Sequence, residues 1–333
     1  MAEKDPDAMI TKKPSVSVVI CAYTEDRWDQ IVASVNSAAR QSHPAEEIIV
    51  GIDHNPSLLD KVRSRFPGVV VVANSEAPGL SGARNSGITV ARGDIVAFLD
   101  DDAVAAPDWL ERLCAGYRNA EVAGVGGSIE PDWHGNRSAW FPPEFGWVVG
   151  CSYEGMPRRI SPIRNLIGAN MSFRREALVE LGGFRSGMGR IGSYPAGCEE
   201  TELCIRAHQR WPGSILLYDP AARVRHNISS GRTGAGYFRS RCYAEGLSKA
   251  LVSRSVGAGD GLSSERAYVC GTLPRGVLDG VADVFRGDLF GLARAAAIVV
   301  GLAFTTTGYL VGLAKGRFRP VVPSDQLQVE PQG

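Results

Sequence analysis

Runs of β-branched and apolar residues alternate with helical patterns through the first hundred residues, and this alternation constrains the fold most. Stretches that fit buried strands are 15–23, 46–53, 68–74 and 94–100. Between them, helical patterns occupy 28–42 and 80–91. Strands that alternate with helices predict an α/β fold with a mostly parallel central sheet flanked by helices.

Polar side chains follow three of these predicted strands. Tyr23, Asp53 and the triplet 100–102, which is Asp-Asp-Asp, should meet at one edge of the sheet, where such folds bind ligands. Three adjacent carboxylates repel one another, so positive charge nearby is needed to balance them. Carboxylate oxygens beside an open position suit Mg²⁺ or Mn²⁺ that also holds a phosphate. Helix capping before Pro107 is one alternative, and an aspartyl-phosphate phosphatase is another.

A second acidic group lies in the helical pattern over 199–211. Glu200 falls on the stripe with three apolar residues, so it faces the protein interior near the start of the helix. A carboxylate in that place is a candidate general base. Glu199 and Glu202 fall on other faces, and Glu202 should pair with Arg206 one turn later. Alternatively, all three acids only favour the positive end of the helix.

The second half of the chain adds a histidine and an irregular lobe. His226 follows a strand-like run over 214–224, and its imidazole can complete a site made of two carboxylates and a diphosphate. A structural histidine is the alternative. The stretch 128–165 is rich in Trp, Phe, Pro and Gly, which indicates an irregular lobe beside a pocket. A helical pattern returns over 173–184.

Composition excludes some functions. Lys plus Arg equals Asp plus Glu at 36 each, and no basic run is present, so nucleic acid is not an expected partner. The seven cysteines form no CxxC pair, which indicates reduced thiols in a cytosolic environment. Residues 1–13 are polar, so export is not expected. We predict disordered ends at 1–13 and 320–333.

An apolar segment near the C-terminus indicates contact with a membrane. Residues 295–314 carry no charge over 20 residues, which is the minimum for a spanning helix. The preceding stretch, 277–289, has its apolar residues on one side. A single span would leave three basic residues outside, against the positive-inside tendency. We therefore expect an interfacial or re-entrant hairpin with both ends cytosolic, while a single span and a buried helix remain the alternatives.

Seven motifs between residues 15 and 233 together resemble those of the family-2 inverting glycosyltransferases. In chain order they are VSVVICAYTED, IIVGID, GLSGARNSGI, VAFLDDDAVAAPDWL, GANMSFRREALVELGGF, GCEETELCIR and RVRH. The resemblance implies the GT-A fold, a UDP-sugar donor and Mn²⁺ or Mg²⁺. We accordingly predict a catalytic domain over 14–250, with a nucleotide-binding half over 14–127 and an acceptor half over 128–250. A membrane-associated helical region over 251–319 follows.

The resemblance also implies roles for individual residues. The nucleotide would be held by Ala22, Tyr23, Glu25, Asp53, Arg84, Asp100 and Asp101, with Asp53 at the uracil. The metal ligands would be Asp102, Asp100 and His226. Glu200 would be the base, with Glu199 as the second choice, because this family usually carries Glu-Asp here. The acceptor side would include Asn170, Trp147 and Arg164.

Two segments, 140–173 and 241–252, resemble a narrower subgroup that extends lipid-linked sugars, such as the glucosyl-dolichyl-phosphate glucuronosyltransferases. This implies a polyprenyl-phosphate-linked or other cell-envelope glycan acceptor and a place at the cytoplasmic face of the membrane. Arg158, Arg159 and Arg164 would meet a phosphate or an acidic sugar, with a solvated loop as the alternative. For the whole chain, a catalytically silent nucleotide-sugar-binding protein is the alternative. A dinucleotide oxidoreductase is disfavoured, because no glycine-rich loop follows the first strand.

Overall fold

The computed structural model describes residues 13–133, 137–190, 197–257 and 263–315. The strands are β1 (Val16–Ala22), β2 (Glu47–Ile52), β3 (Val70–Ala73), β4 (Ile95–Asp100), β5 (Ala103–Ala105), β6 (Val122–Trp133), β7 (Ser161–Pro162), β8 (Asn170–Arg174) and β9 (Ile215–Ile228). The helices are α1 (Trp28–Ala39), α2 (Pro56–Arg65), α3 (Leu80–Val90), α4 (Trp109–Gly116), α5 (Arg175–Glu180), α6 (Glu199–Arg210), α7 (Ala235–Val256), α8 (Ser263–Ala267), α9 (Leu273–Phe285) and α10 (Phe290–Ala314).

The strands form one sheet in the order β3-β2-β1-β4-β8-β6-β9-β5, with β7 beside β9. The first four strands in this order, β3, β2, β1 and β4, run parallel to one another, as predicted, and β6 is parallel to β9. β8 runs antiparallel between β4 and β6. Val18 and Ile20 pack in one core cluster and Val19 in another, so β1 is buried on both faces. The mostly parallel α/β sheet is therefore confirmed.

Two local predictions are wrong at their edges. The stretch 128–165 does not begin as an irregular lobe, because its first residues continue β6 as far as Trp133. The helical pattern over 173–184 begins as the end of β8, and only Arg175–Glu180 is helical. Phe173 pairs with Val96 and Gly124 on the two neighbouring strands. Sheet pairing on both sides overrides the helical spacing there.

The C-terminal helices pack through glycines. A methyl group on Gly246 of α7 would collide with the backbone of α10 at Thr305, and Gly308 approaches Tyr243 in the same way. Of the described helices, α10 is the one that is long and apolar enough to cross a membrane. Because α7 runs from Ala235 to Val256, it crosses the boundary that we place at residue 250. The division into domains stays a prediction.

The outer side of α9 and α10 leaves large apolar side chains in contact with solvent. Phe285 is 88% exposed and Leu289 is 76% exposed, at the turn between the two helices. Further exposed members of this apolar face are Leu278, Val281, Phe290, Leu292, Val299 and Leu310. Contiguous apolar patches of this kind mark surfaces that contact a membrane or another protein.

Candidate active site

A cavity of about 420 Å³ collects the polar residues that follow the first strands. Parallel pairing places Ala22 opposite Ile52 and Cys21 opposite Asp100. The residues just beyond these pairs, Tyr23 and Asp53, therefore reach the same edge as the Asp triplet, and all of them line the cavity. A cavity of this size is ample for a small-molecule ligand.

A potential metal site lies in this cavity. One ligand atom from each of Asp100, Asp102 and His226 lies within 4.8 Å of the others. The antiparallel pairing of β5 with β9 creates this arrangement, since it sets Ala103 opposite His226. His226 Nε2 lies 2.9 Å from Asp102 Oδ1 and the imidazole is only 3% exposed. Two carboxylates and one imidazole fit a divalent cation.

Two arginines that the sequence did not point to contribute to the compensation of the Asp triplet. Arg27 Nη1 lies 2.9 Å from Asp101 Oδ1 and 3.1 Å from Asp102 Oδ2. Arg232 Nη2 lies 3.6 Å from Asp102 Oδ2. Each arginine follows a strand by a few residues, which is the one signal in the sequence that could have identified it. The triplet is thus partly balanced by the chain itself.

The pKa values of the triplet follow from burial and these contacts. Burial and the charge of Asp102 raise the pKa of Asp101 to about 7, while Arg27 opposes the shift. Burial would also raise the pKa of Asp102, but His226, Arg27 and Arg232 together hold it well below its usual range. Burial alone would lower the pKa of His226, and Asp102 raises it well above the usual value.

Arg84 holds Glu199 in an ion pair. Its Nη1 atom lies 2.8 Å from Glu199 Oε1, and its Nη2 atom lies 3.4 Å from Asp100 Oδ1 and donates to the Gly168 carbonyl. The guanidinium is 2% exposed, and it lies over the ring of Phe184. Glu199 lines the cavity instead of facing away, but its charge is already matched by Arg84.

Glu200 lines the same cavity in a different electrostatic state. Burial and the neighbouring charge of Glu199 raise the pKa of Glu200 well above the usual value, and Arg84 only partly opposes this. Each other carboxylate that lines the cavity has a basic partner within 4.0 Å. Within the described ranges, no ion pair includes Glu200. It is therefore the carboxylate best suited to accept a proton.

The predicted pair of Glu202 with Arg206 is present, but it is not a surface pair. Glu202 is fully buried, its two oxygens accept from Arg206 Nε at 2.9 Å, and Arg185 lies 3.2 Å away. Arg206 also donates to the carbonyls of Leu181 and Gly183. Glu202 therefore anchors α6 to the segment that follows α5.

Two residues that the resemblance assigned to the nucleotide differ in position. Asp53 faces the cavity, and its oxygens accept from the Gly79 amide at 2.9 Å and from Asn74 Nδ2 at 2.7 Å. These bonds fix the orientation of its carboxylate. Glu25 does not line the cavity, and it accepts from Lys61 Nζ at 3.2 Å. The prediction that Glu25 lines the nucleoside pocket is therefore corrected.

The acceptor-side predictions divide in the same way. Trp147 lines the cavity. Asn170 does not, because its side chain is 0% exposed and its amide bonds to Trp109, Ser128 and Ala222 within the sheet. The Asn170 prediction is wrong, since Trp109 of α4, Ser128 of β6 and Ala222 of β9 use its polar atoms.

Of the three arginines assigned to a phosphate or an acidic sugar, two lie at the surface. Arg158 pairs with Glu154 at the surface, and Arg159 is also exposed. Arg164 Nη1 donates to Glu265 at 2.7 Å and is only partly buried. Arg164 therefore belongs to a charged network behind the cavity wall.

The far half of the cavity is formed by the C-terminal helices, which the sequence did not connect to the site. Three charged residues of α7 line it, namely Arg241, Glu245 and Lys249. Around them lie Trp147, Tyr153, Glu265, Tyr268, Leu273, Leu302, Thr305 and Tyr309. The spacing of four residues between the charges on α7 is the signal that could have shown a common face.

Residues 17–182 match the sequence model of glycosyl transferase family 2. The chain belongs to this family, because the similarity to one relative at 32% identity extends over 90% of its length. That relative is the glucosyl-dolichyl phosphate glucuronosyltransferase of Haloferax volcanii, of which the alignment covers 96%. The protein is therefore a glycosyltransferase that resembles the transferases of lipid-linked sugars, as the motifs predicted.

Two solved structures share the fold. The mannosyltransferase PcManGT from Pyrobaculum calidifontis, in complex with GDP-Man and Mn²⁺, has a TM-score of 0.55 at 16% identity and covers 89% of this chain and 88% of its own. GalNAc-T7 with UDP, GalNAc and Mn²⁺ has a TM-score of 0.51 at 19% identity and covers 78% of this chain and 54% of its own. The predicted GT-A fold is thereby confirmed.

Proposed function

We propose that this glycosyltransferase moves a sugar from a UDP-sugar to a hydroxyl group of a polyprenyl-phosphate-linked glycan, with inversion at the anomeric carbon. The observation that carries the proposal is the position of Glu200. It is a carboxylate of raised pKa, without an ion pair in the described part of the chain, in the same cavity as Asp100, Asp102 and His226. A base and a site for the donor diphosphate therefore share one chamber.

On the donor side, Tyr23 and Asp53 would hold the nucleoside, with Ala22 and Arg84 in the lining beside them. Asp100, Asp102 and His226 would hold Mn²⁺ or Mg²⁺. When bound, such a cation stabilises the negative charge that develops on the departing diphosphate. Arg27 orients the triplet through its bonds to Asp101 and Asp102.

On the acceptor side, Glu200 accepts the proton of the hydroxyl group as its oxygen bonds to the anomeric carbon. The bond from that carbon to the diphosphate breaks in the same displacement, so the configuration inverts once. A raised pKa suits this role, because a base works best when its pKa lies near the working pH. Arg84 pairs with Glu199, and the charge of Glu199 helps to raise the pKa of Glu200.

We place the protein at the cytoplasmic face of the cell membrane. The support is the exposed apolar face of α9 and α10, and a relative named for a dolichyl phosphate substrate. Because α10 packs against α7 along one side, a shallow hairpin fits it better than an isolated span. Sedimentation with anionic lipid vesicles tests this placement, and Phe285→Glu together with Leu289→Glu should release the protein.

The function is tested with a panel of nucleotide sugars, in Mn²⁺ and in chelator, scored first by thermal shift and then by transfer to polyprenyl-phosphate-linked sugars. We expect UDP to stabilise the protein only with the metal. Glu200→Gln should abolish transfer and keep UDP binding, whereas a silent binding protein would show no transfer even as wild type. A protein that UDP and Mn²⁺ fail to stabilise would contradict the choice of donor.

A further inference from the structure

The far half of the cavity holds a cluster of charges that the transfer step does not use. Along one face of α7, Arg241 Nη1 lies 2.8 Å from Glu245 Oε2, and Lys249 Nζ lies 3.5 Å from Glu245 Oε1. Glu265 of α8 lies 2.5 Å from Lys249 and 2.7 Å from Arg164. These five side chains, which we name the α7 charge cluster, carry three positive and two negative charges. The four members that line the cavity, Arg241, Glu245, Lys249 and Glu265, balance one another in charge.

Contacts within the charge cluster favour the ionised forms of Lys249 and Glu245. Although burial alone would lower the pKa of Lys249, Glu245 and Glu265 hold it above its usual value. Arg241 and Lys249 lower the pKa of Glu245 to about 2, against the effect of burial. An apolar lining would stabilise the fold at lower cost, because each buried ion loses its hydration. Arg241 and Lys249 both line the cavity, so an anionic ligand that enters this half meets two cations.

The cluster lies next to the proposed base. A methyl group on Gly197 would lie 3.1 Å from Arg241 Nη2, and Gly197 precedes Glu200 by three residues. Cys198 Sγ donates to Glu245 at 3.2 Å, and the charge of Glu245 contributes to the raised pKa of Glu200. The cations and the base are thus close neighbours at the beginning of α6.

The remaining wall of this half is apolar and aromatic. It includes Trp147, Tyr153, Tyr268, Leu273 and Leu302. Leu302, Thr305 and Tyr309 come from α10, which also carries exposed apolar residues such as Val299 and Leu310. The same helix therefore borders both the cavity and the surface that we place in the membrane. A ligand with a phosphate and an apolar chain would place its phosphate at the cations and its chain along the apolar wall.

We propose that Arg241 and Lys249 bind the phosphate of the lipid-linked acceptor, while the acceptor sugar extends from there to Glu200. The proposal rests on the proposed function, and it names the group of the acceptor that is recognised. The guanidinium of Arg241 offers paired N–H donors that match phosphate oxygens, and Lys249 adds a second charge. On binding, the phosphate shares these donors with Glu245 and Glu265.

The test compares two acceptors with wild-type protein, Arg241→Gln and Lys249→Met. One acceptor is glucose linked to a short polyprenyl phosphate, and the other is an alkyl glucoside with the same sugar and no phosphate. We expect KM for the phosphate acceptor to rise about tenfold or more in each variant, since a charge-assisted hydrogen bond contributes that much. KM for the alkyl glucoside and KM for the donor should stay within twofold of wild type, roughly the scatter of neutral changes.

Arg239→Gln is the matched control, because Arg239 is exposed on the same helix and does not line the cavity. The double variant Lys249→Met with Glu265→Gln separates folding from binding, because it removes both charges of one ion pair. It should recover the thermal stability lost in Lys249→Met, but not the wild-type KM for the phosphate acceptor. Equal losses for both acceptors, or a loss that follows the donor, would overturn the proposal. Failure of the wild type to use any lipid-linked acceptor would instead count against the proposed function.

Discussion

Replacement of Glu200 by Gln should stabilise the protein at neutral and basic pH. In the folded protein, burial and the charge of Glu199 oppose ionisation of Glu200 and raise its pKa well above the value of an unfolded chain. Below the unfolded pKa, the group is protonated in both states and costs nothing. As pH rises toward the folded pKa, the unfolded state loses its proton first, so the wild type loses stability that the Gln variant keeps.

The size of the effect follows from the shift. Each pKa unit by which the folded value exceeds the unfolded value costs the wild type about 1.4 kcal/mol at high pH. At pH 8 the variant should therefore unfold at a higher temperature, by roughly 2–4 °C for each kcal/mol. At pH 4 the two proteins should differ little. The assay is thermal unfolding from pH 4 to 9 in chelator, so that no bound cation alters the charges.

Glu202→Gln is the matched control on the same helix, and its expected effect has the opposite sign. Glu202 is fully buried between Arg206 and Arg185, so loss of its charge leaves both arginines uncompensated. We expect roughly 2–3 kcal/mol of destabilisation, less than for a wholly buried pair because the arginines are partly exposed. The reasoning is refuted if Glu200→Gln is no more stable than wild type at pH 8, or if its advantage does not change with pH.

Three further changes test the site and the packing around it. Asp102→Asn should remove the stabilisation by UDP that depends on Mn²⁺, as seen in thermal shift with and without chelator, because Asp102 belongs to the ligand set that we propose. Arg84→Met should lower stability in urea by about 3–5 kcal/mol, because it leaves Glu199 buried without its partner. Gly246→Ala should lower the unfolding temperature, because the added methyl group meets the α10 backbone. The control, Gly236→Ala, has nothing within 4 Å and should be stabilised by up to about 1 kcal/mol.

The parts of the site that the sequence could predict are those that depend on local order. Polar residues that directly follow a buried strand lie at its carboxyl end, and parallel strands share that edge of the sheet. Strand alternation alone is therefore enough to place Asp53 and the triplet at 100–102 at one edge. The helical spacing did not separate the three acids of α6 correctly, because Glu199 and Glu202 are more buried than Glu200, and the spacing had assigned both of them to other faces.

Contacts between distant segments could not be predicted in this way. Asn170 belongs to a motif that indicates a site residue, yet its amide is used by Ser128 and Ala222, which reach it only when β6 and β9 fold beside it. Arg27 and Arg232 come to the triplet from segments 205 residues apart, and no pattern in the sequence links them. The composition of the C-terminal helices indicates a membrane segment, but their second role as a cavity wall depends on the packing of α7 against α10.

The charged side chains of the cavity form two groups of ion pairs, and Glu200 lies between the groups. At one end Arg27, Arg84 and Arg232 pair with the Asp triplet, and at the other end Arg241 and Lys249 pair with Glu245 and Glu265. Glu200 lies between these two ends and, within the described part of the chain, pairs with neither. An ion-paired carboxylate is a weak base, because protonation would break the pair. The unpaired position is therefore the reason why we propose Glu200, and not Glu199, as the residue that takes a proton from an acceptor hydroxyl group.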